Sequence, residues 1–216
     1  MINALEAINM ETTSLSTFLF PALAVIVAYL IGSVSSAIII CKIMCLPDPR
    51  DSGSGNPGAT NVLRIGGKKA AIIALIGDAL KGYIPVKIAI LLGIFDFYTI
   101  ALVAVAAFVG HLYPIFFKFK GGKGVATCLG ALIALNLVLS LVVLGVWILV
   151  FALLRFSSLA ALTAVAVGLI YGWHLMPHAY YIAFAVMGLT LYWRHRSNIE
   201  RLIKGTEPKF GSKKKN

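Results

Sequence analysis

Residues 51–64 read DSGSGNPGATNVLR, and within them Gly53-Ser54-Gly55-Asn56-Pro57-Gly58 satisfies the dinucleotide fingerprint G-x-G-x-x-G. Read as a Rossmann turn, this stretch would make the chain an α/β protein. Such a turn follows a hydrophobic strand, opens a helix, and needs an acidic residue about 20 positions later within a βαβ unit. Here Pro47-Asp48-Pro49 precedes the glycines after a long apolar run, Pro57 interrupts the motif, and the next acid, Asp78, sits inside another apolar segment. The nucleotide reading therefore fails on its surroundings. What remains is a loop of Gly, Ser, Asn and Thr closing on Arg64, whose glycines let backbone N–H groups approach an anion closely. A phosphate- or carboxylate-binding loop and an ordinary flexible loop both fit it.

The surroundings set the fold class. Of 216 residues, 60% are hydrophobic and only 12% charged, and the mean hydropathy is +0.92, beyond what a soluble domain of this length carries. Apolar runs recur from about residue 15 to residue 193, which leaves no room for a separate soluble unit, so residues 1–216 read as a single membrane-embedded domain. The first run, 15–43, has no basic residue before it and exceeds a signal-peptide core of roughly 7–15 residues, so it is expected to stay as one helix. Cys41, Cys45 and Cys128 lack C-x-x-C spacing, and neither a metal site nor a disulfide is expected. The net charge of +11 invites a nucleic-acid partner, but the basic residues cluster at the ends of apolar segments, where membrane topology places them. No nucleic-acid partner is inferred.

Charge sets the threading. Residues 1–41 contain no Lys or Arg and carry Glu6 and Glu11, whereas 42–69 carry Lys42, Arg50, Arg64, Lys68 and Lys69, so the N-terminus is expected outside and the 46–69 loop in the cytoplasm. A block at 70–93 exits near Gly93-Ile94-Phe95-Asp96, and a block at 97–117 returns to Lys118, Lys120 and Lys123. The basic tail from Arg194 also belongs inside, and residues 157–193 divide at His174-Leu175-Met176-Pro177-His178 into two spans. Arg155 must then be inside as well, so 124–154 must go out and come back as a hairpin of two short helices near Asn136. Arms of about 15 residues reach only about 22 Å at ~1.5 Å per residue, so neither is expected to span the hydrocarbon alone. The expectation is an all-α integral membrane protein, a polytopic bundle of seven membrane helices with its N-terminus outside and C-terminus cytoplasmic. Its polar cytoplasmic stretches are 46–69, 117–124 and 194–216.

Two of those stretches add to the first. Residues 110–127, GHLYPIFFKFKGGKGVAT, place Gly121, Gly122, Lys123 and Gly124 where a helix begins, and a helix N-terminus offers free N–H donors and partial positive charge to an anion. This is not a P-loop, because Lys123 is followed by Gly124 rather than Ser or Thr. Topological anchoring accounts for Lys118 and Lys120 but leaves the glycines unexplained. Residues 194–201, RHRSNIER, are expected to continue a helix out of the membrane, with His195 and Asn198 on one face by their i, i+3 spacing. His195 is the only histidine the threading places inside, and imidazole is the usual general base near neutral pH; a basic interfacial helix end is the alternative. Inside the membrane, Asp78 and Lys81 stand at i, i+3 and are expected to form a structural ion pair, since buried charges there are costly and usually paired. His111, His174 and His178 read as packing or interface residues.

The segments GSGNPGATNVLR, GHLYPIFFKFKGGKGVAT and HRSNIERLIKGTEPKF closely resemble the three cytoplasmic motifs of the bacterial acyl-phosphate:glycerol-3-phosphate acyltransferases of the PlsY type. The resemblance extends to GDALKG at 77–82 and to Ser158-Leu159 after Arg155, and runs from about residue 20 to residue 210. It implies transfer of a fatty acyl group from acyl phosphate to the 1-hydroxyl of glycerol 3-phosphate, giving lysophosphatidate and phosphate in phospholipid biosynthesis. It further implies a multi-pass protein of the bacterial inner membrane, its active site on the cytoplasmic face, with membrane lipid as its surroundings. Seven membrane helices and an external N-terminus are features of that family too.

Carried onto this chain, the family's active-site positions fall on Ser54, Arg64, Lys123, Ser158, His195 and Asn198. The donor-rich neighbours Gly55, Asn56, Thr60, Asn61, Gly121 and Gly122 are expected to help hold substrate phosphate. Ser54, Lys123, His195 and Asn198 are the candidates for catalysis. No metal and no cofactor are expected, because acyl phosphate already carries a good leaving group. Either His195 or a substrate phosphate can take the hydroxyl proton. The H-x4-D pair of other glycerol-phosphate acyltransferases is absent; His195 with Glu200 gives only H-x4-E, and five residues along a helix do not share a face. Pro57 departs from the family pattern without adding a polar group. The alternative from another class is a transporter of a phosphorylated anion; its two polar mouths are not matched by outer loops this short and uncharged.

Overall fold

The structure, a computed structural model, describes residues 4–94 and 96–211, with side chains described from residue 18 onward. Expectations resting on Glu6, Glu11, Phe95 and residues 212–216 lie outside the described residues. Nine α-helices follow one another, with no strand among the described residues: α1 (Ala4–Gly32), α2 (Ser36–Ile43), α3 (Ala59–Leu91), α4 (Phe97–Leu112), α5 (Val125–Leu135), α6 (Leu137–Leu154), α7 (Ser157–Leu175), α8 (His178–Arg194) and α9 (Arg196–Ile203). Four stretches, Phe18–Ile43, Phe97–Phe117, Leu137–Leu154 and Ser157–Leu175, are long and apolar enough to cross a membrane. Along α6, Leu137, Val138, Leu141, Leu149 and Leu153 all face outward, a surface that matches lipid and would be a liability in water.

The first apolar run is two helices rather than the one expected. It breaks at Ser33-Val34-Ser35, and the Val34 carbonyl accepts a hydrogen bond from Lys81 Nζ at 2.9 Å. The same ammonium lies 2.8 Å from Asp78 Oδ1, and both side chains are buried. A membrane helix can break only where its freed backbone groups find partners inside the protein. The ion pair expected from the Asp78/Lys81 spacing thus also serves the broken helix.

The 124–154 block turns at Asn136, as its length and charge require, but its arms are unequal. Asn136 is extended (φ −157°, ψ 104°); its Oδ1 accepts from Leu139 N–H at 2.8 Å to cap α6, and its Nδ2 donates to Leu175 O at 2.6 Å. Only α5, with 11 residues, is short. The 18 residues of α6 reach about 27 Å at ~1.5 Å per residue, which corrects the expectation of two short arms. Between α7 and α8 the chain breaks at Met176-Pro177, within the expected 174–178 segment. α3 kinks at Gly67 (φ 76°, ψ −175°), which separates its first two turns from the rest of the helix.

Small residues let the helices touch backbone to backbone. A Cβ on Gly130 of α5 would lie 1.9 Å from Ala79 O of α3, and one on Gly82 of α3 would lie 2.1 Å from Thr127 O of α5. Thr127 Oγ1 donates to Asp78 O at 2.9 Å in the same contact. α1 meets α4 in the same way, through Gly32 against Ala107 O and Gly110 against Tyr29 O. Gly130→Leu therefore separates α3 from α5 and lowers stability by at least about 2 kcal/mol, whereas Gly145→Leu, with nothing within 4 Å of its added Cβ, leaves it unchanged; thermal unfolding of the two variants in detergent makes the comparison.

Candidate active site

The loop after α2 is built around one buried amide. Asn61, in the first turn of α3, donates through Nδ2 to Pro49 O (2.8 Å) and Ser52 O (2.9 Å), and its Oδ1 accepts from Ser54 N–H at 2.8 Å. Both amide atoms are thereby engaged by its own loop, so Asn61 shapes that loop. Gly53 is left-handed (φ 65°), and a Cβ there would lie 2.1 Å from Asn61 Oδ1, so only glycine passes over the amide. This arrangement leaves Ser54 and Gly55 exposed at the crest, with Asn56 half-buried beside them. Thr60 Oγ1 lies 3.2 Å from Ser157 Oγ, tying the loop to the start of α7 rather than to an open site. Arg64 is exposed one turn further along α3.

The second loop packs on the end of α4. A Cβ on Gly121 would lie 2.1 Å from His111 O, and one on Gly122 would lie 2.3 Å from His111 Nε2. Gly122 N–H donates to His111 O at 3.2 Å, so this amide is not open to an anion, and the glycine is present for close packing. His111, read from sequence as a packing residue, is the floor of this loop and also lies 3.7 Å through Nδ1 from Asp78 Oδ1.

Lys123 leaves this loop to meet the third segment. Its Nζ donates to Asn198 Oδ1, while Asn198 Nδ2 donates to Glu207 Oε1 at 2.7 Å. Ser158 Oγ donates to the same Oε1 at 2.6 Å, and Arg201 Nε donates to Oε2 at 2.7 Å. One carboxylate thus gathers residues from α7, α9 and the second loop. Burial alone would raise the Glu207 carboxyl, but hydrogen bonds from Ser158, Asn198 and Arg201, with the Arg201 charge, outweigh it and hold the group below its ordinary range. The tail is fixed in place by Phe210 N–H donating to Arg155 O at 2.8 Å and by the edge-to-face pair of Phe151 and Phe210.

Sequence reasoning missed Glu207 and weighed Glu200 instead. Glu200 is exposed. The available signal was a lone acid, Glu207, between Lys204 and Lys209 in the KGTEPK stretch of an otherwise basic tail.

His195 is not on a continuing helix. It forms the break between α8 and α9 (φ −97°, ψ 7°), and it is buried, 3% exposed. Burial, then the Lys123 charge, pushes its imidazole down to about 4, against the raising effects of the Leu191 hydrogen bond and Glu207. Nδ1 lies 2.8 Å from Leu191 O, which can only accept, so Nδ1 carries the proton and neutral His195 leaves Nε2 bare. Lys123 is lowered to about 8, first by burial, with the charges of Arg201, Arg194 and Arg64 adding to it against Glu207. Lys123, Ser158, His195 and Asn198 are therefore brought together around Glu207, with Arg64 within electrostatic range; the contacts of Ser54 stay within its own loop.

Residues 22–205 match the family described as glycerol-3-phosphate acyltransferase. A relative of that name from Thioalkalivibrio sulfidiphilus is 53% identical over 190 residues, covering 88% of this chain and 93% of its own. Another, from Vibrio cholerae, is 53% identical over 191 residues, covering 88% and 91%. The crystal structure of PlsY (YgiH), an integral membrane glycerol 3-phosphate acyltransferase, in its glycerol 3-phosphate form superposes with a TM-score of 0.84 at 40% identity, covering 88% of this chain and 96% of that one. Its lysophosphatidic acid form gives 0.82 at 38%. An all-helical chain with this cation-rich, carboxylate-centred site, matched over most of its length by these proteins, belongs to the glycerol-3-phosphate acyltransferase family.

Proposed function

We propose that this protein transfers a fatty acyl group from acyl phosphate to the 1-hydroxyl of glycerol 3-phosphate, releasing 1-acyl-glycerol 3-phosphate and phosphate. The observation that carries the reading is the convergence of Ser158 and Asn198 on Glu207, with Lys123 joined through Asn198, His195 within the field of Lys123 and Glu207, and Arg64 and Arg201 adding positive charge at Lys123. Two phosphate-bearing substrates need such cationic surroundings, and the related crystal forms are titled for glycerol 3-phosphate and lysophosphatidic acid. The acyl tail belongs in the bilayer beside the outward apolar faces. Counting α1 and α2 as one crossing and α3 to α8 as one each gives seven, which would set the two ends on opposite faces, and the basic residues of the three polar segments support a cytoplasmic, inner-membrane face for them with the N-terminus outside.

The hydroxyl oxygen of glycerol 3-phosphate bonds to the acyl carbonyl carbon as the bond from that carbon to the phosphate oxygen breaks, and its electron pair leaves with phosphate. Lys123 neutralises phosphate as a point charge, and Arg64 offers a bidentate fork. Ser54, at the crest of its loop, contributes a donor to phosphate or to the developing oxyanion. A His195 imidazole held near 4 is a weaker proton acceptor than a phosphate dianion with its second pKa of about 6. The proton accordingly goes to the departing phosphate, while the bare Nε2 of His195 orients the substrate by accepting a hydrogen bond from its neighbouring 2-hydroxyl. No acyl-enzyme forms, and proximity with electrostatics supplies the acceleration.

Purified protein given glycerol 3-phosphate produces lysophosphatidate with acyl phosphate and none with acyl-CoA or acyl carrier protein; absence of product from every donor refutes the activity. Lys123→Ala and Arg64→Ala each lower kcat/KM by at least about 100-fold, and normal turnover in either refutes its place in the site.

The pKa directions give a second test. kcat/KM falls above pH about 8 as Lys123 loses its proton, and Lys123→Arg, whose guanidinium does not titrate there, removes that limb from whatever rate it retains. His195 has a folded pKa near 4, below its ordinary 6.5, so the unfolded chain binds a proton through this window that the folded chain does not. Its contribution to stability is present above pH 6.5 and lost as pH falls through 4. Unfolding measured across that window is less steeply pH-dependent in His195→Gln than in the wild type.

A further inference from the structure

We propose that Arg194, the last residue of α8, is a positioning residue that sets which side of the 121–124 loop faces substrate. The inference rests on the acyltransferase reading above. Arg194 Nη2 donates to Gly121 O at 3.1 Å and to Gly122 O at 2.9 Å, and Nε donates to Gly122 O at 3.2 Å. The guanidinium also stands 5.6 Å from the centre of the Tyr113 ring, and Tyr113 O in turn accepts from Tyr29 OH at 2.9 Å. The loop is therefore held from two directions: His111 of α4 packs under its glycines, and Arg194 of α8 takes its carbonyls.

The consequence follows from peptide geometry. In a planar trans peptide the C=O and N–H point in opposite directions. With Gly121 O on Arg194, the Gly122 N–H is turned to the other side, where it meets His111 O. With Gly122 O on Arg194, the Lys123 N–H likewise points away from the guanidinium. The amides of Lys123 and Gly124 donate to no protein acceptor among the described residues, and the Lys123 side chain starts from this oriented peptide. A loop free to flip these peptides would present carbonyl oxygens where an anion needs donors. Three contacts to two carbonyls require a planar fork; an ammonium on a lysine stem is a single point of attachment.

Arg194 touches the loop backbone and acts through it. Replacing it leaves Lys123 in the chain but unfixes its orientation, which weakens phosphate binding before it affects bond breaking. Arg194→Ala and Arg194→Lys are compared with wild type in detergent, with KM for each substrate and kcat measured separately and folded protein quantified by thermal unfolding. Both variants raise KM for one phosphate substrate at least about tenfold, the scale expected for a misplaced binding group. Added guanidinium chloride, but not sodium chloride, lowers the KM of Arg194→Ala back toward wild type. A purely structural role would instead reduce the folded fraction and the apparent kcat at unchanged KM. KM values within about threefold of wild type for both substrates in Arg194→Ala overturn the inference and leave the activity standing; wild-type protein that makes no lysophosphatidate overturns the activity itself and the inference with it.

Discussion

The close contact between α3 and α5 governs the rest of the structure. Gly82 and Gly130 bring the two backbones together, and Thr127 closes the contact by bonding to Asp78 O. The helices that meet here begin at two of the polar loops: α3 carries Asn61 and Arg64 in its first turns, and α5 follows directly on Lys123. Their contact thus bears on how the two loops sit relative to one another. A side chain in either glycine position would be felt at the site, not only in the bundle.

Asp78 and Lys81 stabilise the same region by a different route. A buried ion pair is weak evidence of stability by itself, since desolvation offsets much of its attraction. Here Lys81 also satisfies Val34 O, so the pair carries a backbone duty that an apolar replacement would not fulfil. Its Asp78 carboxylate reaches toward His111, and His111 is the floor under Gly122. A continuous set of packed and polar contacts therefore runs from the α1–α2 break to the 121–124 loop. Each glycine of that loop is explained by what lies beneath it rather than by flexibility.

Much of this was legible in the sequence because it follows from local rules. The turn at Asn136 and the break at 176–177 follow from length, charge sidedness and a proline. The membrane class follows from composition, which also excludes the nucleotide reading of residues 53–58. The 33–35 break was not legible, because Ser33-Val34-Ser35 carries no helix-breaking residue and its cause, Lys81, is 47 positions away from Val34. The corner at His195 was hidden for a similar reason: RHRSNIER has no Gly or Pro, and the bend depends on burying the imidazole against Leu191 O. Glu207 was overlooked because its importance lies in its partners, Ser158, Asn198 and Arg201, and the first of these lies 49 residues away.

That carboxylate offsets the positive charge gathered around Lys123. Lys123, Arg201, Arg194 and Arg64 act on one another unfavourably, and each lowers the ease of charging Lys123. Glu207 opposes them at the centre and is tied down by Ser158, Asn198 and the Arg201 guanidinium rather than by Lys123 directly; Asn198 stands between the lysine and the glutamate, accepting from the one and donating to the other. A direct Lys–Glu contact would neutralise the ammonium and close the site to phosphate. Relayed through an amide, the lysine keeps a positive charge that an arriving phosphate can still use. His195, bonded to Leu191 O, feels the Lys123 cation that suppresses its protonation and the Glu207 carboxylate that favours it, and burial decides the balance for the neutral form. These surroundings favour negative charge beside Lys123 while leaving the imidazole as an acceptor, the combination that the proposed acyl transfer calls for.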